Sequence, residues 1–585
     1  MALYFDFHFH PLGKRFLEKF NDVERQSKQC TEPVALPRIG GGVDPLLGHI
    51  FRSQACVSQS VKGGIKLGVA NIVVMEHVFA TRQGVLNLLE LEVGGKKVIV
   101  PLDNRYIDFV HNSQGSYNQL MSKELAFYQW VAGQVDLRHS INLLSRKNEN
   151  GPQLQESKLN LVLAIEGGHG LSKRLISQFA GEFDPVKTVQ EYRNNKSVDF
   201  LYLTLTHLSH VREQPLCSHA YGFKLVKGLP EAMPQINGLT LLGKQVVRAC
   251  VDTKENKHPI LIDIKHMSLV GRHDFYTYRR HLLDKRPDGF KPPKEVDGKP
   301  WWPIIATHMG ITGFASGEMR DFIKKHGIER GNETSVRVKL SRKKAATLPE
   351  GIGLDKVSFN PTSVGLFDDD IEEIVRSRGL IGISLDARIL GFEGVKGRLL
   401  QPEYDYFSRE DFAILFPDMA QKLSIVEPVE EGTEGALEKE AAPATTESLI
   451  ASRGKRELYL FCLNVLHTVA VINRMPDKER HGKDGWDYVC VGSDYDGLID
   501  SIQAANTAEL LPRFEQELQS FLPLAEKAYF KAHDDVPDLL PKAGGKAEVK
   551  RVLRKLFYDN GERFIQDWWS PIKAGAKAIP DKEIV

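Results

Sequence analysis

The stretch NLVLAIEGG at residues 160–168 decides how the rest of the chain is interpreted. Five apolar residues in a row lead from Asn160 to the acidic Glu166, and two glycines follow. An apolar run without polar alternation is typical of a strand buried on both faces, as in a parallel sheet. The glycines allow a sharp turn and the close approach of a ligand. The stretch therefore predicts a buried parallel strand that ends in a carboxylate.

Seven further runs of apolar, β-branched and aromatic residues, each bounded by turn residues, have the same character. They are 2–9 (ALYFDFHF), 70–77 (ANIVVMEH), 199–207 (DFLYLTLTH), 259–266 (PILIDIKH), 303–308 (PIIATH), 379–386 (GLIGISLD) and 487–494 (DYVCVGSD). Amphipathic helical stretches lie between several of them, at 241–254, 367–378 and 456–473. Strands that alternate with helices predict an α/β fold, and eight parallel strands can close a (β/α)8 TIM barrel.

The chain of 585 residues is long for a barrel, and the excess falls between the predicted strands. We expect a single barrel domain over residues 1–585, with long loop insertions at 14–68, 79–155, 270–300, 322–350 and 391–455. Residues 425–447 are acidic, rich in alanine and free of aromatic residues, so disorder is predicted there. A final helix is predicted at 545–567.

The composition is that of a globular protein and excludes several functional classes. Lys and Arg number 77 against 76 Asp and Glu, a formal charge of +1, so no net field favours nucleic acid or an anionic membrane. The six cysteines form no CxxC pair, which favours a reducing compartment and a cytoplasmic location. The sequence has no signal-peptide pattern and no apolar run of about 18 residues, so no membrane partner is expected. Homo-oligomerisation stays open.

Most of the eight predicted strands end in an ionisable residue. In a parallel barrel the carboxyl ends of the strands open into one mouth, where active sites lie. One such residue alone is more often a capping group bonded to a loop, whereas coincidence at all the strand ends indicates a functional cluster. The residues are His8 with His10, His77, Glu166, His207, His266, His308, Asp386 and Asp494.

Five of these residues are of the types that bind metal ions. His8 and His10 alternate along the first strand, so their side chains point to the same face and can converge on one ion. A carboxylate at Glu166 can bridge two cations. His266 and His308 end the fifth and sixth strands and can complete a second metal position. The sequence therefore predicts a divalent-metal site at the barrel mouth.

Two further strand ends suit the chemistry of hydrolysis. Asp494 in GSDYDG (492–497) can take a proton from metal-activated water and pass it to a leaving group. Asp496 lies on the same face if the strand continues, and is the second candidate for that role. His207 in TLTH (204–207) can polarise a substrate carbonyl or stabilise an oxyanion, although a structural core histidine is an equal alternative.

Several motifs along the chain follow the order and local style of one known family. They are IEGGH (165–169), YLTLTH (202–207), LIDIKHMS (261–268), THMG (307–310) and VGSDYDG (491–497). On these motifs the chain resembles the membrane (renal) dipeptidase family of metal-dependent hydrolases, in the amidohydrolase-like superfamily. The resemblance covers the strands and several helices but not the insertions. It implies a (β/α)8 barrel, one or two divalent ions, zinc above all, and hydrolysis of a small dipeptide-like amide by metal-activated water.

The resemblance also implies a role for each matching residue. One ion is bound by His8 and the residue at position 10, Glu166 bridges, the second ion is bound by His266 and His308, Asp494 is the acid and base, and His207 contacts the substrate.

The chain departs from the family pattern at two places. His10 stands where the family usually has an aspartate, which removes one negative charge from the first metal position. We expect this change to weaken or empty that position, so that the second site outlasts the first under mild chelation. The family's Arg-Asn pair, whose arginine takes the substrate carboxylate, corresponds here to Phe359 and Asn360 in SFNPTSV (358–364). A free α-carboxylate therefore loses its bidentate partner, and we expect Phe359 to give the substrate pocket an apolar wall. The alternative is that Arg320 or Arg388 reaches the same pocket.

We therefore expect an enzyme, a metallo-dipeptidase-like amidohydrolase that acts on a small-molecule or dipeptide-like substrate. Hydrolysis of a lactone, an ester or a non-peptide amide is the alternative, because the arginine that selects dipeptides is missing. From a different class, a non-catalytic barrel used as a binding scaffold stays open. The complete set of metal-side histidines together with Glu166 and Asp494 favours the enzyme.

Overall fold

The structure is a computed structural model of the chain. It describes residues 3–34, 50–80, 92–93, 96–97, 102–147, 153–176, 184–209, 215–222, 232–296, 298–330, 334–341, 358–391, 404–423, 446–532, 538–540 and 545–569. Of the segment predicted to be disordered, residues 425–445 lie outside the described residues.

Eight parallel strands form the centre of the molecule, and consecutive strands are neighbours throughout. They are β1 (Tyr4–Phe9), β2 (Ile65–Val73), β3 (Leu159–Glu166), β4 (Phe200–Thr204), β5 (Leu261–Asp263), β6 (Ile305–Met309), β7 (Leu380–Ile383) and β8 (Val489–Val491). All eight predicted strands are present, and the predicted (β/α)8 barrel is confirmed. A short additional strand, Ile141–Leu143, pairs in parallel with the start of β3.

The barrel closes between its last and first strands. The backbone N–H of Asp494 donates to the carbonyl of His8 at 2.8 Å, and the N–H of His10 donates to the carbonyl of Tyr495 at 2.9 Å. Below them, the backbone N–H of Ser493 donates to the carboxylate of Asp6 at 2.9 Å. Residues from the two ends of the sequence are thus fixed side by side at the barrel mouth.

The second strand, β2, covers different residues from the run predicted at 70–77. It begins five residues earlier, at Ile65, and the prediction missed this part because Lys66 and Gly68 interrupt the apolar pattern. It ends at Val73, which pairs with Glu166, the last residue of β3. The chain beyond Val73 has no strand to pair with and turns out of the sheet.

Helices cover the outside of the barrel. The α-helices are α1 (Gly13–Glu18), α2 (Asp22–Arg25), α3 (Val57–Gly63), α4 (Asn104–His111), α5 (Tyr117–Gly133), α6 (Pro185–Asn194), α7 (Leu241–Val251), α8 (Leu269–Lys285), α9 (Asp368–Arg376), α10 (Ala387–Leu390), α11 (Arg409–Leu415), α12 (Pro417–Leu423), α13 (Thr446–Arg474), α14 (Leu511–Ala532), α15 (Gly545–Arg554) and α16 (Asn560–Trp569). Short 3-10 helices lie at His77–Ala80, Gly168–Leu171, Pro287–Gly289, Ser316–Phe322, Gly485–Tyr488, Gln503–Ala505 and Ala508–Leu510. In the described part of the chain, none of the helices combines the length and apolar character needed to cross a bilayer.

The C-terminal helices pack against the first strand. The helix predicted at 545–567 is present as α15 and α16, joined by a π-helical turn at Lys555–Asp559. The outward side chains of β1 meet them: the rings of Phe7 and Phe564 lie 5.8 Å apart, and those of Tyr4 and Phe557 lie 5.5 Å apart. Burial of these rings fixes the strand that carries His8 and His10.

Two insertions, one before β7 and one after it, together form a separate small sheet beside the barrel mouth. Three antiparallel strands, Ile323–Arg330, Ser335–Leu340 and Tyr404–Ser408, pack with α11 around their own apolar cluster. The carboxylate of Asp411 in α11 accepts hydrogen bonds from the hydroxyl of Ser268 at 2.7 Å and the N–H of Gly238 at 2.9 Å. Ser268 caps α8, two residues after His266. Helix α11 therefore holds the loop that follows β5.

Two further hairpins lie outside the barrel. Lys294–Val296 pairs with Lys299–Trp301, and Glu92–Val93 pairs with Lys96–Lys97.

Two glycines allow three strands to approach closely inside the barrel. A Cβ atom at Gly492 would lie 1.7 Å from the carbonyl oxygen of Thr307, and one at Gly382 would lie 2.0 Å from it. Because a methyl group has no room there, we expect Gly492→Ala to lower the free energy of unfolding by about 1–3 kcal/mol, the usual cost of overpacking. Urea denaturation measures this change.

The matched control is Gly133→Ala at the end of α5, where a methyl group would meet no described atom within 4 Å. That substitution should leave stability unchanged or raise it by up to about 1 kcal/mol, since alanine favours helix over glycine. Equal effects of the two substitutions would contradict the close packing.

Candidate metal centre

Five imidazoles surround the carboxylate of Glu166 at the barrel mouth. Its side chain is 3% exposed, and the Nε2 atom of each histidine points at one of its oxygens. The distances from Nε2 to the carboxylate are 3.2 Å for His266, 3.3 Å for His10, 3.4 Å for His8, and 3.6 Å for both His207 and His308. The structure thus brings all five predicted metal-binding residues together with His207.

The local sequence explains how these side chains are aimed. Along β1, His8 and His10 face the interior while Phe7 and Phe9 are buried on the outside, as the alternation of a strand requires. Glu166 is the last residue of β3, and Gly167 follows it with φ of 95°, a conformation that favours glycine. The N–H of Gly167 donates to the hydroxyl of Thr204 at 2.7 Å. This hydrogen bond fixes the turn that follows β3, the strand that ends in Glu166.

Thr307 helps to orient two of the histidines. Its hydroxyl donates to the carboxylate of Asp263 at 2.6 Å. Nδ1 of His308 lies 3.0 Å from this oxygen and Nδ1 of His8 lies 3.2 Å from it. Nδ1 of His8 also lies 3.0 Å from the hydroxyl of Tyr202. With these contacts, the Nε2 atoms of both rings face Glu166. Partners of this kind orient histidine ligands in metal sites.

The donor set fits a divalent cation. Imidazole nitrogens with one carboxylate suit a borderline ion such as zinc. Nε2 of His8 is buried and has no hydrogen-bond partner among the described residues, and Nδ1 of His10 is fixed by the carbonyl of Asn71 at 3.2 Å. Three groups have ligand atoms within 4.8 Å of one another: His8, His10 and Glu166; His8, His308 and Asp494; and Glu166, His207 and His266. His266 and His308, predicted to share the second ion, fall into different groups.

Neighbouring charges shift the pKa values of several residues in the cluster. Burial would raise the pKa of Glu166, but His8, His207 and the hydrogen bonds from His10 and His266 outweigh it and hold the pKa well below its usual range. Burial would lower the pKa of His10, yet Asp494 and Glu166 raise it to about 10. Burial and the neighbouring His207 lower the pKa of His266 to about 3. His266 is therefore neutral at pH 7, the form that binds metals.

The structure separates the roles of Asp494 and Asp496. Asp494 is partly exposed, and its Oδ1 lies 3.7 Å from Nε2 of His8 and 3.6 Å from Nε2 of His10. Both oxygens of Asp496 are already used: they accept from the N–H of Gln54 at 2.7 Å and of Ala55 at 3.1 Å, and Oδ1 pairs with buried Lys14 at 3.0 Å. Asp496 therefore holds loops together, and Asp494 is the carboxylate beside the cluster.

Asp494 and His266 adopt a backbone conformation that is uncommon for residues other than glycine. Their φ angles are 63° and 67°, in the left-handed region. Such conformations are costly and persist at functional sites where the surrounding structure enforces them. Here they aim both side chains back over the end of the barrel.

Sequence reasoning missed Glu76, which holds His207. Nδ1 of His207 lies 2.9 Å from Oε1 of Glu76, and the N–H of Leu208 donates to the same oxygen at 3.0 Å. The prediction had selected the next residue, His77, which instead begins a 3-10 helix, with its ring stacked on that of His111. The available signal was the acidic residue in MEH at the end of the predicted strand.

The pair also changes the charge state of both groups. Burial would lower the pKa of His207, but Glu76 and Glu166 raise it to about 9. Burial would raise the pKa of Glu76, but His207 outweighs burial and lowers it to about 2. At neutral pH the pair is an imidazolium beside a carboxylate.

The remaining predicted residues lie to one side of the cluster. Phe359 is buried with its ring 5.2 Å from that of His467, and the amide of Asn360 donates to the carbonyl of Arg388 at 3.1 Å. Asp386 caps α10 and pairs with the guanidinium of Arg388 at 2.6 Å. The substrate-binding role of Phe359 and Asn360 stays a prediction.

Two buried charged residues near the cluster were not predicted. Lys265 is 1% exposed, and its ammonium has no hydrogen-bond partner among the described residues. Burial lowers its pKa to about 8, against the opposing effect of Asp494 and other carboxylates, so it is mainly protonated at pH 7. Glu124 in α5 is also 1% exposed; burial raises its pKa to about 8, with His10 and Arg25 opposing. Lys265 lies in the run 259–266 that was predicted as a buried strand, but neither residue type is expected to be buried from its own chemistry.

Comparisons with known proteins give matches only among solved structures. No family model matches the chain, and no curated protein does. Similar solved structures include metallo-dipeptidases: a metallopeptidase from Rhodobacter sphaeroides liganded with a phosphinate mimic of the dipeptide L-Ala-D-Ala (13% identity, 97% of this chain and 99% of that chain, TM-score 0.42) and dipeptidase AC (13%, 97% and 99%, 0.41). An amidohydrolase from Pseudomonas aeruginosa is similar at 11% identity over 88% of this chain and 92% of that chain, with a TM-score of 0.36.

The Glu76 pair predicts a pH effect in metal-free protein. The folded pKa of His207, about 9, lies above the ordinary value near 6.5, so the stability that the pair adds is present below pH 6.5 and is lost as pH rises through 9. We expect Glu76→Gln to lower the pKa of His207 by about one to three pH units, the effect of removing an adjacent opposite charge. NMR titration of the imidazole measures it.

Glu124→Gln is the matched control, because it removes another buried carboxyl that lies near His10 instead. It should leave the titration of His207 in place. A pKa of His207 that is the same in wild type and Glu76→Gln would show that the pair does not set its protonation.

Proposed function

We propose that the chain is a metal-dependent hydrolase that cleaves a small dipeptide-like amide, within one barrel domain whose insertions shape the mouth. The observation that carries this proposal is the convergence of five imidazoles on one buried carboxylate beside the partly exposed Asp494. Burying so many polar groups without function would be costly. This cost argues against a barrel that serves only as a binding scaffold.

The residues that would hold the metal are His8, His10, Glu166, His266 and His308, and zinc is the ion that suits them best. When bound, a divalent cation supplies Lewis acidity, which makes water a better nucleophile at neutral pH and polarises a carbonyl. The histidines need no large movement to act as ligands, because their Nε2 atoms already converge.

His207 is proposed as a hydrogen-bond donor to the substrate. Its Nδ1 is held by Glu76, and its raised pKa keeps Nε2 protonated, so Nε2 is a donor and not a free ligand. In hydrolysis it donates to the carbonyl oxygen as negative charge develops there. Its side chain is 15% exposed, which leaves it accessible from the mouth.

Asp494 is proposed as the acid and base. Its carboxylate adjoins His8 and His10, and its side chain is 16% exposed while theirs are closed off. It takes a proton from the attacking water and gives it to the leaving amine. Asp496 is not a candidate for this step, because its two oxygens are bonded to Lys14, Gln54 and Ala55.

The position of Phe359 keeps a lactone, an ester or a non-peptide amide as the second candidate for the substrate that is cleaved. Phe359 is buried where the resemblance expects an arginine, so a cation for a substrate carboxylate is missing at that position. A dipeptide and its C-terminal amide, compared with a lactone of similar size, distinguish these substrates.

The function is tested with metal-free protein reloaded with zinc, manganese or cobalt. We expect hydrolysis of an amide substrate only after loading. Glu166→Gln should lose both metal and turnover, because it removes the carboxylate that all five imidazoles face, while the exposed control Glu191→Gln should keep both. Loaded protein that hydrolyses lactones but no dipeptide supports the second candidate. Protein that binds no metal contradicts the proposal.

The two neighbouring aspartates form a matched pair of variants. Asp494→Asn should keep the fold and the metal and lose about 10²–10⁴ in turnover, the usual contribution of general acid–base catalysis. Asp496→Asn should keep turnover within a few-fold in the folded protein. It should lower the free energy of unfolding by about 3–5 kcal/mol, because Lys14 loses its buried partner. Steady-state kinetics, metal analysis and urea denaturation separate the two; turnover near wild type in Asp494→Asn would contradict its role.

A further inference from the structure

We propose that Asp411, which lies in the insertion after β7, is a positioning residue for the metal site. Its buried carboxylate joins the loop that follows β4 to the loop that follows β5, and in this way keeps the imidazole of His266 directed at Glu166. This inference rests on the proposed metal-dependent function, and it gives the insertion a task in building the site.

The backbone of His266 needs support from its surroundings. Its φ of 67° lies in the left-handed region, which is costly for a residue with a side chain and persists only where the neighbouring structure enforces it. In this conformation Nε2 of His266 lies 3.2 Å from the carboxylate of Glu166. Relaxation of the loop to an ordinary φ would turn the imidazole away from Glu166.

The loop after β4 provides part of this support. The N–H of Ala220 donates to the carbonyl of His266 at 2.8 Å. Two residues further along, the N–H of Ser268 donates to the carbonyl of Ser218, also at 2.8 Å. The two hydrogen bonds make a short antiparallel bridge between the loops. The conformation of His266 therefore depends on how firmly this bridge is held.

Asp411 holds the bridge from the side of the insertion. Its Oδ2 accepts from the hydroxyl of Ser268 at 2.7 Å, and its Oδ1 accepts from the N–H of Gly238 at 2.9 Å. The carbonyl of Gly238 in turn accepts from the N–H of Ser218 at 2.8 Å. One carboxylate thus supports both sides of the bridge, Ser268 directly and Ser218 through Gly238.

The environment of Asp411 strengthens these hydrogen bonds. The side chain is fully buried, and burial raises its pKa to about 6 against the opposing hydrogen bonds from Ser268 and Gly238, so it is mainly ionised at pH 7. Hydrogen bonds to an ionised group are stronger than those between neutral groups. The hydroxyl of Ser268 also accepts from the N–H of Gly271 at 3.1 Å, which caps α8.

The insertion is packed firmly at the same place. Leu269, the residue after Ser268, belongs to the apolar cluster of the small sheet together with Phe407 and Phe412. The N–H of Asp411 donates to the hydroxyl of Ser408 at 3.0 Å, which caps α11. The carboxylate is therefore presented by a packed helix and not by a free loop.

The test is the zinc affinity of the full chain, measured by competition with a chelator on variants whose fold is checked by circular dichroism. Asp411→Ala and Ser268→Ala should each lower the zinc affinity about tenfold, the lower end of the usual effect of residues that orient metal ligands. Because both changes remove the same hydrogen bond, the double variant should lower the affinity little further than Asp411→Ala alone.

Ser408→Ala is the matched control. It removes the cap of α11 but leaves both hydrogen bonds of the Asp411 carboxylate, so it should lower stability and keep the wild-type zinc affinity.

A second measurement follows the position of His266 in metal-free protein. The rings of His207 and His266 lie 4.5 Å apart, so a nuclear Overhauser effect should connect them in wild type. The effect should weaken in Asp411→Ala and Ser268→Ala and persist in Ser408→Ala. A carboxylate that only stabilised the fold would change neither this signal nor the zinc affinity of the folded protein.

The outcomes separate this inference from the proposed function. Folded Asp411→Ala with the zinc affinity and ring signal of wild type overturns the inference, as does an equal loss of affinity in Ser408→Ala. If Asp411→Ala does not fold, Ser268→Ala decides by the same two measurements. Wild type that binds zinc but hydrolyses no substrate contradicts the proposed function alone. Wild type that binds no zinc also contradicts that function, whereas a weakened ring signal in the variants would still support the role of Asp411.

Discussion

The burial of one carboxylate among five imidazoles is the constraint on which the site depends. Glu166 is almost fully buried, and an ionised carboxylate in such a place requires compensating groups. His10 and His207, whose pKa values are raised, supply positive charge in the metal-free cluster. A divalent ion can take over that task and release those protons. The same geometry therefore explains both how the metal-free protein tolerates Glu166 and why it has affinity for a cation.

Thr307, a neutral residue beside the cluster, helps to position two of its histidines. The hydroxyl of Thr307 donates to Asp263 and contacts the Nδ1 atoms of both His8 and His308. Its backbone carbonyl is the atom against which Gly382 and Gly492 pack. One residue thus joins the closest backbone approach inside the barrel to the orientation of the ligands. The packing of the strands and the chemistry of the mouth are coupled at this residue.

The sequence was sufficient to predict the barrel and the convergence of ionisable residues at its mouth. Buried parallel strands leave uninterrupted apolar runs, and their polar ends stand out, so Glu166 and the histidines were found. The predicted range of β2 began too late because Lys66 and Gly68 lie near the start of this strand. Glu76 was missed because the pattern points only to the last residue of a run, and Lys265 because burial of a lysine depends on strands far apart in sequence. The choice of Asp494 over Asp496 required the positions of Lys14 and Gln54, which local pattern does not contain.

The joining of β1 to β8 and to α16 has a consequence for how the protein is made. The strand that carries His8 pairs with β2, but its contacts to β8 and α16 form only when residues 489–491 and 560–569 have been synthesised. Until then Phe5 and Phe7 lack Gly561 and Phe564 of α16, against which they pack. Large domains of this kind pass through states with exposed apolar surface. The cluster at the barrel mouth is therefore completed only after β8 and α16 have been synthesised.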